Sequence, residues 1–229
     1  WAFGSNQLDV VAHAGEDKNA YYARWQQSVN FFHFKSPELD KTVQTSQSVD
    51  IVSHETGHAT LDGMKPKYLG SWTGETMAFH EAFADSTAIL YTLSSDHNVS
   101  KVVEETGGDL RKNSRASMLA EEFGKAIKLG NTDPADDNNT WLRNARNDFK
   151  YIPMSELPSY ATKKEELSAE VHSYSRIFTG GFYDCVINLY DRFAKELPAL
   201  PQPETPDGQE PKPAQPDYES ALKKARDVI

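Results

Sequence analysis

The sequence predicts an α+β chain that is predominantly helical, and three observations carry that expectation. Apolar residues recur at helical intervals through most of the chain, strand signals are confined to about 8–12 and 31–34, and 229 residues suit one large domain or two lobes. From Asp17, which can cap a helix start, Tyr21, Trp25, Val29 and Phe32 fall 4, 4 and 3 apart, predicting a helix to about 34. A polar stretch follows over 35–48. A second helix is expected over about 49–61, stopping at Asp62-Gly63, and a third over about 75–93 after a loop at 70–74. The third should end in the polar cluster 94–98. Residues 114–129 place Met118, Phe123, Ala126 and Ile127 on one side of a further helix, and 130–140 read as a long loop rich in side-chain oxygens. A long helix is expected over about 163–197. Seven of the twelve prolines then fall between Pro198 and Pro216, predicting an extended linker before a last amphipathic segment with Tyr218, Leu222, Ala225 and Ile229 on one stripe. The expected organisation is a first lobe over 1–95, a helical second lobe over 96–197, the linker over 198–216 and a closing helix over 217–229.

Composition narrows the function classes. Thirty-four Asp and Glu against 24 Lys and Arg give a formal charge of −10, which argues against sequence-independent binding of nucleic acid or of an anionic membrane surface. No apolar run is long enough for a membrane span. The single cysteine, Cys185, excludes an internal disulfide framework and is expected as a buried packing thiol. His13, His33 and His97 have no partner spacing, and Phe31, Phe32 and Phe34 are expected in the core. Trp1 opens the chain without Met or a signal-type segment, as if something upstream were removed or the chain were part of a longer one.

The chemistry concentrates in Asp50-Ile-Val-Ser-His54-Glu55-Thr-Gly-His58. On a helix, residues four apart share a face, so His54 and His58 can offer two imidazole nitrogens to one metal. Glu55 lies about 100° round the helix from His54 and can reach a metal-bound water. A third His ten positions after the first would complete one known ligand pattern, but Met64 stands there. The next helix instead carries His80-Glu81-Ala-Phe-Ala-Asp85, whose two carboxylates again share a face. One of them can complete the metal site while the other accepts an N–H from a ligand imidazole and fixes its tautomer.

At these residues the sequence resembles the thermolysin family of gluzincin metallopeptidases. The resemblance covers roughly 9–197, with 221–229 similar to the start of a late helix. It implies a two-lobed zincin fold with the HExxH helix at the lobe interface and the N-terminal lobe incomplete, so that the chain is most of a catalytic domain. It implies Zn2+ held by His54, His58 and Glu81, Glu55 as general base, and Asp85 as the partner of a ligand His. Asp50 and Asp62 also stand where the family has acids. Glu170-Val-His172-Ser-Tyr174-Ser-Arg176 resembles the family's third motif, with His172 as the oxyanion-stabilising imidazole, although Tyr174 and Arg176 replace the usual Asn and Gly. Leu142-Arg143-Asn144 resembles the segment whose Leu lines the primed-side pocket and whose Arg binds a substrate carbonyl. Tyr68 corresponds to a tyrosine assisting the oxyanion, and Ile51 and Leu142 lining the pocket imply an apolar residue after the scissile bond. His80 replaces an Asn before the third ligand, in a position to hold a ligand imidazole.

The implied function is a zinc endopeptidase acting on peptide or protein substrates outside the cell. An inactive zinc-bearing binding module and a gluzincin exopeptidase are the alternatives. Ca2+ is not expected, because Thr92 stands where a calcium site needs an acid. Asn19-Ala20-Tyr21-Tyr22 matches the letters of the family's substrate-pairing edge strand, but its periodicity places it in the first helix instead.

Overall fold

The computed structural model describes residues 7–37, 39–71, 73–127, 141–161, 166–200 and 215–229. The expected loop over 130–140 and most of the proline-rich linker lie outside these residues.

The N-terminal segment corrects the sequence expectation. No helix forms over 17–34. Instead β1 (Asp9–Val11), β2 (Ala20–Ala23) and β3 (Ser28–Phe31) make a sheet in the order β1-β3-β2, with β1 parallel and β2 antiparallel to the central strand. The helical spacing of Tyr21, Trp25, Val29 and Phe32 is coincidental: Trp25 sits in the β2–β3 turn and is 93% exposed. Gln27 closes that turn with a positive φ of 50°, and its N–H donates to the Arg24 carbonyl at 3.1 Å. Tyr, Val and Phe on either side favour the pleated conformation. The polar stretch 35–48 also holds structure, a hairpin of β4 (His33–Ser36) and β5 (Lys41–Gln44).

Helices then dominate. α1 (Val49–Met64) is followed by the short α2 (Pro66–Leu69), α3 (Gly74–Ser94) and α4 (Asp96–Thr106). α4 was not expected. It occupies the polar cluster 94–98 and continues past it, burying Val99 and Val102 and ending at Gly107 in the left-handed conformation. The expected helix over 114–129 shrinks to α5 (Glu121–Ile127). Before it, β6 (Met118–Leu119) pairs with β7 (Arg143–Asn144). The long helix begins at Val171 rather than near 163, and α6 (Val171–Glu196) runs through Gly180-Gly181 unbroken. α7 (Tyr218–Val228) is capped by Asp217 and buries Ala221, Leu222 and Ala225. Cys185 is exposed, contrary to the expected buried thiol.

α3 packs on α1 and on α6. One core joins α3, α4, α6 and α7 through Ile89, Leu93, Val102, Tyr183, Tyr190 and Leu222. A second lies between the strands, α1 and α5, where Val29, Phe31, Phe34, Val43, Ile51 and Phe123 meet. Phe31 and Phe34 are therefore core residues, as expected. Among the described residues no helix is long and apolar enough to cross a membrane.

Gly57 sets how closely the two central helices approach. A Cβ there would lie 2.8 Å from Ala84 Cα and 3.1 Å from Thr87 Cβ. Glycine costs helix stability, but here its missing side chain lets the α1 and α3 backbones come together between His54 and His58.

Candidate metal centre

That close approach brings the histidines of α1 against the acids of α3. Among the described residues, His54, His58 and Glu81 form a cluster that could hold a metal ion, with one ligand atom from each lying within 4.8 Å of the others. His54 Nε2 and His58 Nε2 are 3.1 Å apart. Glu81 Oε2 is 3.3 Å from His54 Nε2, and Oε1 is 3.5 Å from His58 Nε2. Glu81 Oε2 is buried without a hydrogen bond, an orphan that a cation would satisfy.

The far side of each imidazole is held. His54 Nδ1 lies 2.9 Å from Asp85 Oδ1, so an Nδ1–H donating there leaves the Nε2 lone pair facing the cluster. His58 Nδ1 is 2.7 Å from His80 Nδ1. With His58 donating, its Nε2 lone pair also faces inward, and His80 holds the ring in place. The structure brings His54, His58, His80, Glu81 and Asp85 into one constellation, with Asp85 touching His54 and His80 touching His58.

Asp85 is 1% exposed and is the hub of the α3 side. Arg143 on β7 donates to it from Nε at 3.0 Å and from Nη2 at 2.7 Å, and the Thr179 hydroxyl of α6 lies 3.4 Å from Oδ2. Arg143 Nη2 is also 3.3 Å from His54 Nδ1. Burial pushes the Asp85 carboxyl up, but Arg143 and His54 outweigh it and hold its pKa at about 2. Burial disfavours the charged His54 ring as well. Asp85 and Glu81 more than reverse that, raising it to about 9 in the metal-free protein. His58 goes the other way: burial, with His54 beside it, pushes it down to about 3. For Glu81 burial is outweighed by the two imidazoles, which hold it below the usual carboxylate range.

Glu55 lies on the opposite flank, 6% exposed. The backbone N–H of Tyr22 faces its carboxylate and favours the anion, but burial outweighs this and raises its pKa. Tyr22 belongs to β2, an edge strand of the sheet, and Asn19, Ala20, Tyr21 and Tyr22 all line the cleft with His54, Glu55 and His58. The segment read as helix is thus a strand at the rim of the site. Asp62, fully buried at the C-terminal end of α1, holds that strand. It accepts the Tyr22 hydroxyl at 2.9 Å and Arg24 Nε at 2.9 Å, while Arg24 Nη2 also bonds Asp62 and the Pro66 carbonyl.

His172 reaches the cleft from the first turn of α6, with 53% of its side chain exposed and Nε2 3.5 Å from Glu81 Oε2. Glu170 caps that helix through the N–H groups of His172 and Ser173, and the same carboxylate lies 2.6 Å from His172 Nδ1. Burial of Glu170 is outweighed by these donors, which hold it below the usual carboxylate range. Ile51, Leu142 and Arg143 line a pocket of about 170 Å³ that also includes His54, Glu55 and His172. Tyr68 does not line it. Its ring packs edge-on against Phe79, with centroids 6.2 Å apart.

Sequence reasoning missed Gly57, Glu170, Tyr22 and Arg24. A glycine inside a helix between two candidate ligands was a usable sign of close helix packing. An acid two residues before a candidate histidine was a usable sign of a cap. Nothing local marks Tyr22 and Arg24 as partners of a residue some forty positions on. Comparison with protein families, with curated proteins and with solved structures finds no match to this chain.

Proposed function

We propose that the chain is a zinc-dependent endopeptidase of thermolysin type, in a zincin arrangement with α1 at the lobe interface. The observation that carries this reading is the convergence of a three-ligand cluster, a buried carboxylate and a clamped histidine on one cleft. Tetrahedral zinc with bonds of about 2.0–2.1 Å keeps its ligand atoms roughly 3.3 Å apart. The separations of 3.1, 3.3 and 3.5 Å among His54, His58 and Glu81 fit that requirement, and an N2O donor set with an open position is that of a catalytic zinc.

Bound there, zinc would polarise the scissile carbonyl and make water nucleophilic near neutral pH. Glu55 takes the proton from the attacking water and returns it to the leaving amine. Its raised pKa suits both transfers, since a carboxylate nearer neutrality is the better proton acceptor and its acid still donates. His172 donates Nδ1–H to Glu170 and, in its doubly protonated form, presents Nε2–H to the oxyanion of the tetrahedral intermediate. Arg143 fixes Asp85, and through it His54. Substrate pairs with β2. Tyr22 turns its N–H away from β3, so by pleat parity Ala20 turns its backbone groups outward too; its N–H is held by the Asn19 side chain at 2.9 Å, which an incoming strand would displace. Export from the cell is part of the same proposal.

The test is Glu55→Gln. The variant should keep one zinc per chain and lose peptide cleavage by roughly 10²–10⁴-fold. Near-normal turnover would overturn the assignment. A wild type that binds zinc but cleaves no casein or quenched peptide would instead favour the binding module.

A further inference from the structure

We infer that the pocket beside the metal centre takes a basic side chain, such as lysine, from the residue following the scissile bond, and that Asp50 recognises its charged tip. This rests on the peptidase reading and refines its expectation of an apolar residue at that position.

Asp50, His54 and His58 stand four apart on one face of α1, so Asp50 lies one turn, about 6 Å, from His54 along the helix. It lines the same pocket. Between the two, the walls are apolar: Ile51, Ala88, Leu119, Ala120, Phe123 and Leu142. The other charges of the pocket are engaged. Arg143 and His54 face Asp85, Glu55 faces the Tyr22 N–H, His172 is held by Glu170, and the Lys18 ammonium lies 5.7 Å from the Phe34 ring centroid.

Asp50 is different. It accepts the Ala120 N–H at 3.2 Å and the Thr92 hydroxyl at 3.5 Å, both neutral donors. Among the described residues no cation pairs with it. A carboxylate has about four acceptor positions, so capacity remains. Burial raises its pKa, and the nearby Glu121 adds to the effect, which is the environment a cationic guest relieves. A lysine stem of four methylenes lies along apolar walls while its ammonium reaches a carboxylate, matching the distribution of surfaces here. A purely apolar guest would cover Asp50 and leave it desolvated without a new partner.

The test uses the intact zinc-loaded protein and quenched peptides that differ only after the scissile bond, carrying lysine, Nε-acetyl-lysine or norleucine. Wild type should favour lysine in kcat/KM by about tenfold or more over both neutral analogues. Asp50→Asn, which keeps an acceptor for the Ala120 N–H, should abolish or invert the lysine-to-norleucine ratio. The acetyl-lysine comparison needs no variant and stands even if Asp50→Asn misfolds. Equal or better cleavage of norleucine by wild type overturns the inference and leaves the peptidase reading intact, as does an unchanged ratio in a folded Asp50→Asn. Cleavage of none of the three overturns both.

Discussion

The two flanks of the metal centre treat a buried carboxylate in opposite ways. On the α3 flank Asp85 meets Arg143, His54 and Thr179, and its pKa is held at about 2. On the β2 flank Glu55 is nearly as buried but meets a single backbone N–H, and its pKa rises. The residue chemistry is almost the same and the environments differ, so one group is a permanent anion and the other can exchange a proton. Two carboxylates with pKa values pushed apart are the mark of divided roles. The first holds His54 in place; the second is the one the proposed mechanism uses for proton transfer.

The largest expected effect comes from removing the fixed anion. Asp85→Ala leaves Arg143 buried without its partner and should cost about 3–5 kcal/mol in urea unfolding of the metal-free protein. It should also weaken zinc by about 10–100-fold, since His54 loses the group that orients it. Glu55→Gln, on the other flank, should change the unfolding free energy by less than about 1 kcal/mol, because a neutral amide is easier to bury than a carboxylate. Equal losses in the two variants would break the comparison.

The next effect is on pH. In the metal-free protein His54 carries a proton up to about pH 9, and zinc must displace it. Apparent zinc affinity should therefore rise about tenfold per pH unit and level off above about 9, with proton release measurable by calorimetry in buffers of different ionisation enthalpy. Stability of the metal-free fold runs the other way. The His54 contribution is full below its ordinary pKa of 6.5 and is lost as pH rises through about 9. A flat zinc affinity between those values would show that Asp85 and Glu81 do not hold that proton.

Gly57→Ala places a methyl group against Ala84 and should destabilise by about 1–3 kcal/mol, weakening zinc in parallel because α3 must move. Stability lost with zinc affinity intact would mean that the ligand geometry does not depend on this contact. The smallest effect is expected at Tyr68→Phe. The ring packs on Phe79 outside the pocket, so kcat/KM should change by less than about twofold; a larger loss would give its hydroxyl a catalytic part.

How much of this was legible in the sequence depends on how local each signal is. The candidate ligand pair is legible because a four-residue spacing maps directly onto one helix face, and Glu81 and Asp85 repeat the pattern on the next helix. The strand flank was not. Tyr21, Trp25, Val29 and Phe32 imitate a helical stripe, and only the reversal at Gln27 and the pairing of β2 with β3 show that Trp25 faces solvent. α4 was hidden by its polar opening, although Val99 and Val102 were available as its buried positions. Glu170 was passed over because the helix was expected to begin near 163. Its capping role is visible only once the first turn starts at Val171.

Whether one zinc sits between α1 and α3 is decided by diffraction across the zinc absorption edge. A single anomalous peak is expected about 2.0–2.1 Å from His54 Nε2, His58 Nε2 and a Glu81 oxygen, with Glu55 and Asp85 outside the coordination shell. A zinc-soaked crystal with no peak at these three side chains, or with Asp85 in place of Glu81 as a ligand, would contradict it.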